Sequence, residues 1–367
     1  MTEINKTFTN KIEEIFLKIC NSDEVEEKIS KNFSKNFPNK YSNKITPKKI
    51  AVAVSGGCDS LALLALLSDF FLQKKHEKIV IYAITIDHKM RKNSSSEAKD
   101  LKKILNLFPT NFKLHHRILT IAKNKIPQRN IEAKLREIRY ELMINFCKKN
   151  KIPIIFLGHH LGDIAENFLI RLFRGSSIEG LASISEVKEI QEIKLIRPLL
   201  NFNKQQLKDF LISKKISWFE DESNNDEKFL RNKIRNFLAS FPEEKILQTR
   251  LKNTGDYFLK MREFFDEKTA QEKSRISTKN KDSSYIINRE ELKKLPEEIA
   301  LKILAEILVE ISEKIYKPRR EKLQRFFDYL CTNQDLKPRN FYNCMLKKIN
   351  NNEVLIYRQL MNSKKLN

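Results

Sequence analysis

Three short strings in this sequence carry residues that could act together. The first, IAVAVSGGCDSLALLALL (Ile50–Leu67), sets two adjacent glycines, an acid and two serines between apolar runs. Adjacent glycines let backbone N–H groups approach a ligand with no Cβ in the way. A helix starting there would aim its unpaired amides and dipole at an anion, and Ser55 and Ser60 add hydroxyls. No Lys stands where a nucleotide-hydrolysing phosphate loop would place one. An acid beside a phosphate site repels the ligand unless a cation lies between, so Asp59 is read as a Mg2+ ligand. A tight strand–helix turn with an Asp cap would suit the same double glycine.

The second string, AITIDHKMRKNSSSEAKDL, puts Asp87 and His88 at the tip of an apolar run, followed by Arg91 and by Ser94 and Glu97 at capping-box spacing. The third, FLGHHLGDIAENFLIRLFRGSSIEGLA (Phe156–Ala182), places His159 and His160 after a buried run, then Asp163 and Glu166 three apart on one helix face. Arg174 and Gly175 close that helix. A transition metal is the obvious alternative, but adjacent histidines point different ways and the HExxH spacing is absent. Two carboxylates on one face would instead hold an ammonium group, Mg2+ or both. Between the second and third strings, NIEAKLREIRYELM sets Arg136 and Tyr140 four apart, with Arg139 three past Arg136. A solvated basic helix face explains that segment equally well.

These strings need a frame. Apolar β-branched runs recur at Ile50–Val54, Ile79–Ile86 and Ile152–Leu157, with weaker ones near Lys113–Ile121 and Ile193–Pro198. Helix-period segments alternate with them, at Asp59–Leu72, Ser94–Leu107, Ile131–Lys149 and Asp163–Phe173, and another helix is expected over 203–215. That alternation predicts an α/β fold with a parallel sheet covered on both faces. Ligands bind such sheets at the carboxyl ends of the strands, where all three strings fall.

After Trp218 the alternation stops, and residues 226 to 330 read as helical, as in KFLRNKIRNFLASF and PRREKLQRFFDYL. A strand-like pair, FYNCMLKKINNNEVLIYRQ, closes the chain around its NNNE turn. The expected division is an extension and linker over 1–48, with one amphipathic helix at about Asn10 to Cys20, and a catalytic domain over 49–220. A helical domain over 221–330 and a short β element with a tail over 331–367 follow.

Composition narrows the class. The chain has 367 residues, 41% of them hydrophobic, which suits a globular protein of more than one domain. No apolar run is long enough for a membrane span and no signal-peptide core opens the chain, so a cytoplasmic protein without a membrane partner is expected. Five widely spaced cysteines with no CxxC pair suggest neither a disulfide framework nor zinc. The net charge of +23 points to a polyanion, nucleic acid first, although general enrichment in Lys, Asn and Ile would also produce it.

The complete SGGCDS string after a buried strand resembles the pyrophosphate loop of the N-type ATP pyrophosphatases, whose domain is Rossmann-like (adenine nucleotide alpha hydrolase-like). With IDHKMRKNSSSEA, NIEAKLREIRY, GHHLGDIAENFLIRLFRGS, RPLL and WFEDESNNDEKFLRNKIR in the same order, residues 49 to 236 are similar to the tRNA(Ile)-lysidine synthetase family. The usual family strings are VDHGLRxxSxxEA, HHADDQAET and EDPSN. This chain departs from them with Lys89 and Met90, Leu161 and Gly162, Ile164 and Asn167, and Glu222, and Lys233 replaces an Arg. Gly162 removes one carboxylate and leaves Asp163 and Glu166. On the same resemblance the chain would stop before the extra C-terminal domain of longer members.

The resemblance implies an ATP-dependent, AMP-forming ligase. In the family, ATP adenylates the C2 oxygen of the wobble cytidine of isoleucine tRNA with a CAU anticodon. Free lysine then attacks C2 and displaces AMP, and the tRNA comes to read AUA. Ser55, Gly56, Gly57, Cys58, Asp59 and Ser60 would line the ATP site with Asp87, His88 and His159, Asp59 holding Mg2+. Asp163 and Glu166 would bind lysine and help deprotonate its amine. Arg136 and Arg174 would face phosphates or the transition state. The helical domain would grip tRNA through Arg231, Lys233, Arg235, Arg319 and Arg320, for which a solvated helix face is the plain alternative. The oligomeric state is open, a homodimer included. The rivals are a sulfur-inserting tRNA enzyme with the same ATP loop, an amide synthetase, and a non-catalytic RNA-binding module.

Overall fold

The structure is a computed structural model. It describes residues 2–21, 33–34, 46–74, 79–87, 94–106, 108, 112–121, 131–220, 230–314, 317–332 and 336–358. The chain divides into two compact units, Met1–Leu259 and Lys260–Asn367.

In the first unit, strands β1 (Lys49–Ala53), β2 (Val80–Asp87), β3 (Lys113–Thr120) and β4 (Ile154–Phe156) form a sheet with β5 (Val187–Ile190) and β6 (Ile193–Ile196). The order is β3-β2-β1-β4-β6-β5. All neighbours run parallel except the β5–β6 pair at one edge. Helices α2 (Cys58–Gln73), α3 (Ser94–Leu105), α4 (Ile131–Asn150) and α5 (Leu161–Phe173) follow β1 to β4 in turn, and then come the short α6 (Ile178–Leu181) and α7 (Lys204–Ser213). Ile50 and Val52 face one layer and Ala51 the other, all fully buried, as expected of a central strand covered on both faces.

The strand order sets the site. From β1 the chain steps outward to β2 and β3, then returns to lay β4 on the other side of β1. The crevice between β1 and β4 is therefore a topological switch point, open at the carboxyl ends of both strands. The glycine loop leaves β1 there, and the histidine–acid string leaves β4 there.

Two boundaries differ from the sequence expectation. The sequence places an amphipathic helix at about Asn10 to Cys20 within an extension. Helix α1 (Glu3–Asn21) is longer, and it is no appendage, because it buries Phe8, Ile12, Ile15, Phe16 and Ile19 in the main core beside α2. Burial of five such side chains contributes roughly 10 kcal/mol of gross transfer free energy. Helix α8 (Leu230–Ala239), expected in a separate helical domain, packs Ile234 and Leu238 against Ala165, Phe168 and Leu169 of α5. It therefore belongs to the sheet unit.

The second unit begins inside α9 (Glu244–Ile276). It contains α10 (Arg289–Lys294), the buried α11 (Glu297–Ser312) and α12 (Arg320–Thr332). These pack on an antiparallel sheet whose strands lie in the order β9 (Arg339–Phe341), β10 (Cys344–Lys348), β11 (Glu353–Arg358), β8 (Tyr285–Asn288) and β7 (Ser277–Lys279). The expected closing pair is β10 (Cys344–Lys348) and β11 (Glu353–Arg358). Strands β7 (Ser277–Lys279), β8 (Tyr285–Asn288) and β9 (Arg339–Phe341) enlarge it. The first two are too short to show a period of two in the sequence.

Candidate active site

The glycine loop is built to leave a helix end open. Gly56 takes φ +89°, which favours glycine, and a Cβ there would lie 2.6 Å from the Phe219 ring. Its carbonyl accepts the Phe219 N–H at 3.0 Å. Gly57 is the N-cap of α2 and no side chain caps that end. Ser60 closes the loop instead, with its hydroxyl donating to the Gly57 carbonyl at 2.9 Å and accepting the Ser55 amide at 3.1 Å. Ser60 is thus a staple of the loop, while Ser55 is exposed at its rim. The first-turn amides of α2 remain for an anion. Cys58 is buried, and burial with the Asp59 charge beside it pushes its thiol up to about 11.

Across the crevice the second string arrives closely. A Cβ on Gly158 would stand 3.1 Å from the Asp59 carbonyl oxygen, so β4 and the start of α2 approach at backbone distance. Helix α5 is capped by its own residues. His160 Nδ1 accepts the Gly162 N–H at 3.0 Å, and Asp163 Oδ2 accepts the His160 N–H at 3.0 Å. His160 Nε2 lies 3.7 Å from Asp59 Oδ2 and 3.8 Å from Asp163 Oδ2. Burial alone would raise the Asp163 carboxyl, but His160, His159, the His160 amide and Arg235 together hold it below its ordinary value.

Glu166, 2% exposed, accepts hydrogen bonds from Arg231 Nε and, at 2.6 Å, from Arg235 Nε. These two arginines, expected to grip tRNA, and Glu166, expected to hold lysine, meet each other in the structure. Lys233 between them is exposed on α8.

A cationic group stands on the β4 side. Arg136 Nη2 donates to the Tyr140 hydroxyl at 3.4 Å, and its guanidinium lies 5.4 Å from the Tyr140 ring centroid. Arg139 is pulled below its usual value, first by burial and then by Arg136 and Arg231. Arg197, of the RPLL string, is 4% exposed and donates to the Ser185 carbonyl at 2.8 Å. Burial, followed by the charges of Arg197, Arg136 and Arg139, holds the His159 imidazole down to about 3, against the pull of Asp163. His159 is therefore neutral at physiological pH. Arg139 was noted in the sequence but given no role, and Arg197 stood there only within the RPLL string. The i,i+3 step from Arg136 was the signal for the first, and Arg197 had none beyond its place after β6.

Three buried polar atoms in this crevice lack partners: Asp59 Oδ1, His159 Nδ1 and Arg197 Nε. Buried polar groups are ordinarily satisfied, so each of these atoms is a candidate contact for a polar ligand. The Asp59 oxygen also fits Mg2+, which takes one or two carboxylates and completes its shell with phosphates and water. Among the described residues no three His, Cys, Asp or Glu could hold a metal by themselves, so bound phosphates would have to supply that shell.

The remaining expected residues fall elsewhere. Asp87 is 5% exposed at the tip of β2, on the far side of β1 from β4. His88 lies outside the described residues. Arg174 is the exposed C-cap of α5, roughly 16 Å along the helix from Asp163, and the structure does not bring it to the loop. Arg320, in the second unit, pairs with Glu298 at 2.8 and 2.5 Å, while Arg319 is exposed.

Residues 24–241 match the PP-loop domain family. The tRNA(Ile)-lysidine synthase of Wolbachia pipientis wMel is 32% identical over 316 residues, covering 85% of this chain and 70% of that one. The enzyme of the same name from Rickettsia akari is 34% identical over 320 residues, with the same coverage. That of Orientia tsutsugamushi is 42% identical over 192 residues, 52% of this chain and 42% of its own length. A U34-tRNA thiolase of Methanococcus maripaludis superposes with a TM-score of 0.49 at 17% identity, covering 70% of this chain and 79% of that one, too slight a likeness to argue for sulfur chemistry.

Proposed function

This chain belongs to the tRNA(Ile)-lysidine synthase family, and from that premise we propose that it ligates free L-lysine to C2 of the wobble cytidine of CAU-anticodon isoleucine tRNA. The observation that carries the reading is that the open end of α2, with Asp59, faces the Asp163 carboxylate at the start of α5 across one switch point. The α2 amides would hold the phosphates of ATP, and Asp59 would hold Mg2+, which neutralises charge on the departing pyrophosphate. The C2 oxygen of the cytidine attacks the α-phosphorus and pyrophosphate leaves. The lysine ε-amine, stripped of its proton, then attacks C2 and AMP leaves with the oxygen. Asp163 would face that amine. Its unusually low affinity for protons suits it to hold the ammonium, and release of the proton falls to a second group or to water.

Glu166 would take part differently from the expectation. Both its oxygens are engaged by arginines, so it would act by fixing Arg231 and Arg235 at the crevice, where they can meet the anionic substrate. Arg136, Arg139 and Arg197 would receive the adenylate or the tRNA phosphates, with neutral His159 among them. Lys233, Arg319 and the other exposed basic residues would add non-specific grip. A cytoplasmic site of action suits a tRNA-modifying enzyme, and no helix among the described residues is long and apolar enough to cross a membrane.

Sulfur insertion is not favoured. Cys58 and Cys147 are buried, their thiols pushed up to about 11 and about 12 by desolvation, and a thiol in that state is a poor nucleophile. The test is a single-turnover assay with the CAU-anticodon tRNA, ATP and labelled lysine. Label in the RNA with stoichiometric AMP is expected. No incorporation, with activity on another acceptor, would overturn the assignment.

A further inference from the structure

The acid string departs from the family pattern at Gly162, and the structure gives that glycine a purpose. It lies in the first turn of α5, and the positive-φ glycines of the chain are Gly56 and Gly175, so no conformational demand keeps it. A Cβ on residue 162 would fall 2.7 Å from His160 Cε1 and 3.1 Å from Nδ1. The imidazole occupies the room a side chain would take. From there Nδ1 accepts the Gly162 amide at 3.0 Å, and a ring that accepts at Nδ1 carries its proton on Nε2. That Nε2–H faces Asp59 at 3.7 Å and Asp163 at 3.8 Å, close to both and closed on neither. The His160 side chain is 9% exposed, while the Asp59 and Asp163 carboxylates it faces are 31% and 21% exposed and so open to a ligand.

We propose that His160 is a positioning residue, its Nε2–H bridging the Asp59 and Asp163 carboxylates so that nucleotide and lysine meet them as a pair, and that Gly162 is what admits the ring to that place. The inference rests on the proposed ligase reading for the identity of the ligands. Ligand-free catalytic contacts are often long and tighten when substrate arrives, which is the behaviour expected of this bridge.

Two variants separate bridge from cap. Gly162→Ala sets a methyl where the ring stands while favouring the helix. His160→Asn keeps a good N-cap acceptor and removes the Nε2–H. Both should keep the circular dichroism and melting behaviour of the wild type. Each should weaken calorimetric binding of ATP and of lysine about 10-fold, the equivalent of one lost hydrogen bond, and raise KM for lysine more than it lowers kcat. Because both remove one contact, the double variant should be no worse than His160→Asn alone. Wild-type affinities in His160→Asn, or effects of the two substitutions that multiply, would overturn the bridge. Failure of the wild-type chain to transfer lysine would count against the ligase reading alone. The bridge would still be decided by ATP affinity, which falls in both variants or refutes it.

Discussion

Two helices begin at the switch point, and their ends are finished in opposite ways. Helix α2 starts at Gly57 with no side-chain cap, whereas α5 starts at His160 with a reciprocal cap from His160 and Asp163. The unpaired amides of α2 are a standing site for phosphate. At α5 the first amides are already taken, Leu161 N–H by the Phe202 carbonyl and Gly162 N–H by His160, and what faces the crevice is acid. One end is arranged for an anion and the other for a cation, and the reaction needs both within one substrate's reach.

That contrast can be broken. The largest effect is expected from Asp59→Asn, which leaves the loop shape but removes the charge facing the open end. Single-turnover adenylation should fall by about a thousandfold, as for other losses of transition-state electrostatics, with ATP–pyrophosphate exchange as the check. Gly57→Asp would give α2 a cap of its own. Its backbone φ is −76°, and a Cβ there meets only Ser55 Oγ at 3.5 Å, so the fold should tolerate it. Stability should hold or rise by a few tenths of a kcal/mol, while ATP affinity drops by about a hundredfold. A variant that still binds ATP at wild-type strength would show that the open amides are not the phosphate site.

Smaller effects sharpen the acid side. Glu166→Gln leaves Arg231 and Arg235 without their carboxylate. With both arginines about a third exposed, solvent screens much of that loss, so urea unfolding should show roughly 2 kcal/mol of destabilisation. Charge reversal of the two arginines should unfold the α5–α8 contact as well as weaken tRNA binding. A loss of tRNA affinity with unchanged stability would place them on the RNA alone. The smallest effect is one of pH. His159 stays neutral when folded, with its pKa near 3, and takes up a proton near pH 6.5 when unfolded. The unfolded chain thus binds more protons below pH 6.5, and stability falls as pH falls. Between pH 7 and 5.5 the loss should be on the order of 1 kcal/mol. His159→Gln should remove that slope and leave the acid loss from Asp163, whose depressed carboxyl contributes stability above its unfolded pKa that is lost as pH falls.

Much of the frame was legible in the sequence. The strands at Ile50, Ile79 and Ile152 and the loops after them follow from apolar runs and glycine placement, which are local. What was hidden depends on where distant residues meet. Glu166 and Arg231 are 65 positions apart, and their pairing appears only once α8 docks on α5. From the sequence, Arg231 and Arg235 looked like a solvated basic face or an RNA contact, because a charge repeat does not reveal its partner. Helix α1 read as an extension because its apolar stripe, though regular, does not say which surface it covers. Gly162 looked like a lost carboxylate, and the rotamer of His160 that fills its place is invisible to spacing.

The contact between Gly56 and Phe219 carries a consequence for how this chain can change by mutation. The ring stands where a Cβ at 56 would be, and the backbone at 56 has a φ of +89°. Losing the ring would relieve the crowding but not the dihedral, so a substitution at 219 can suppress a substitution at 56 only in part. The dependence runs one way. Position 219 is free to drift to smaller residues at a cost in packing, whereas position 56 is locked twice over, by a distant side chain and by its own torsion.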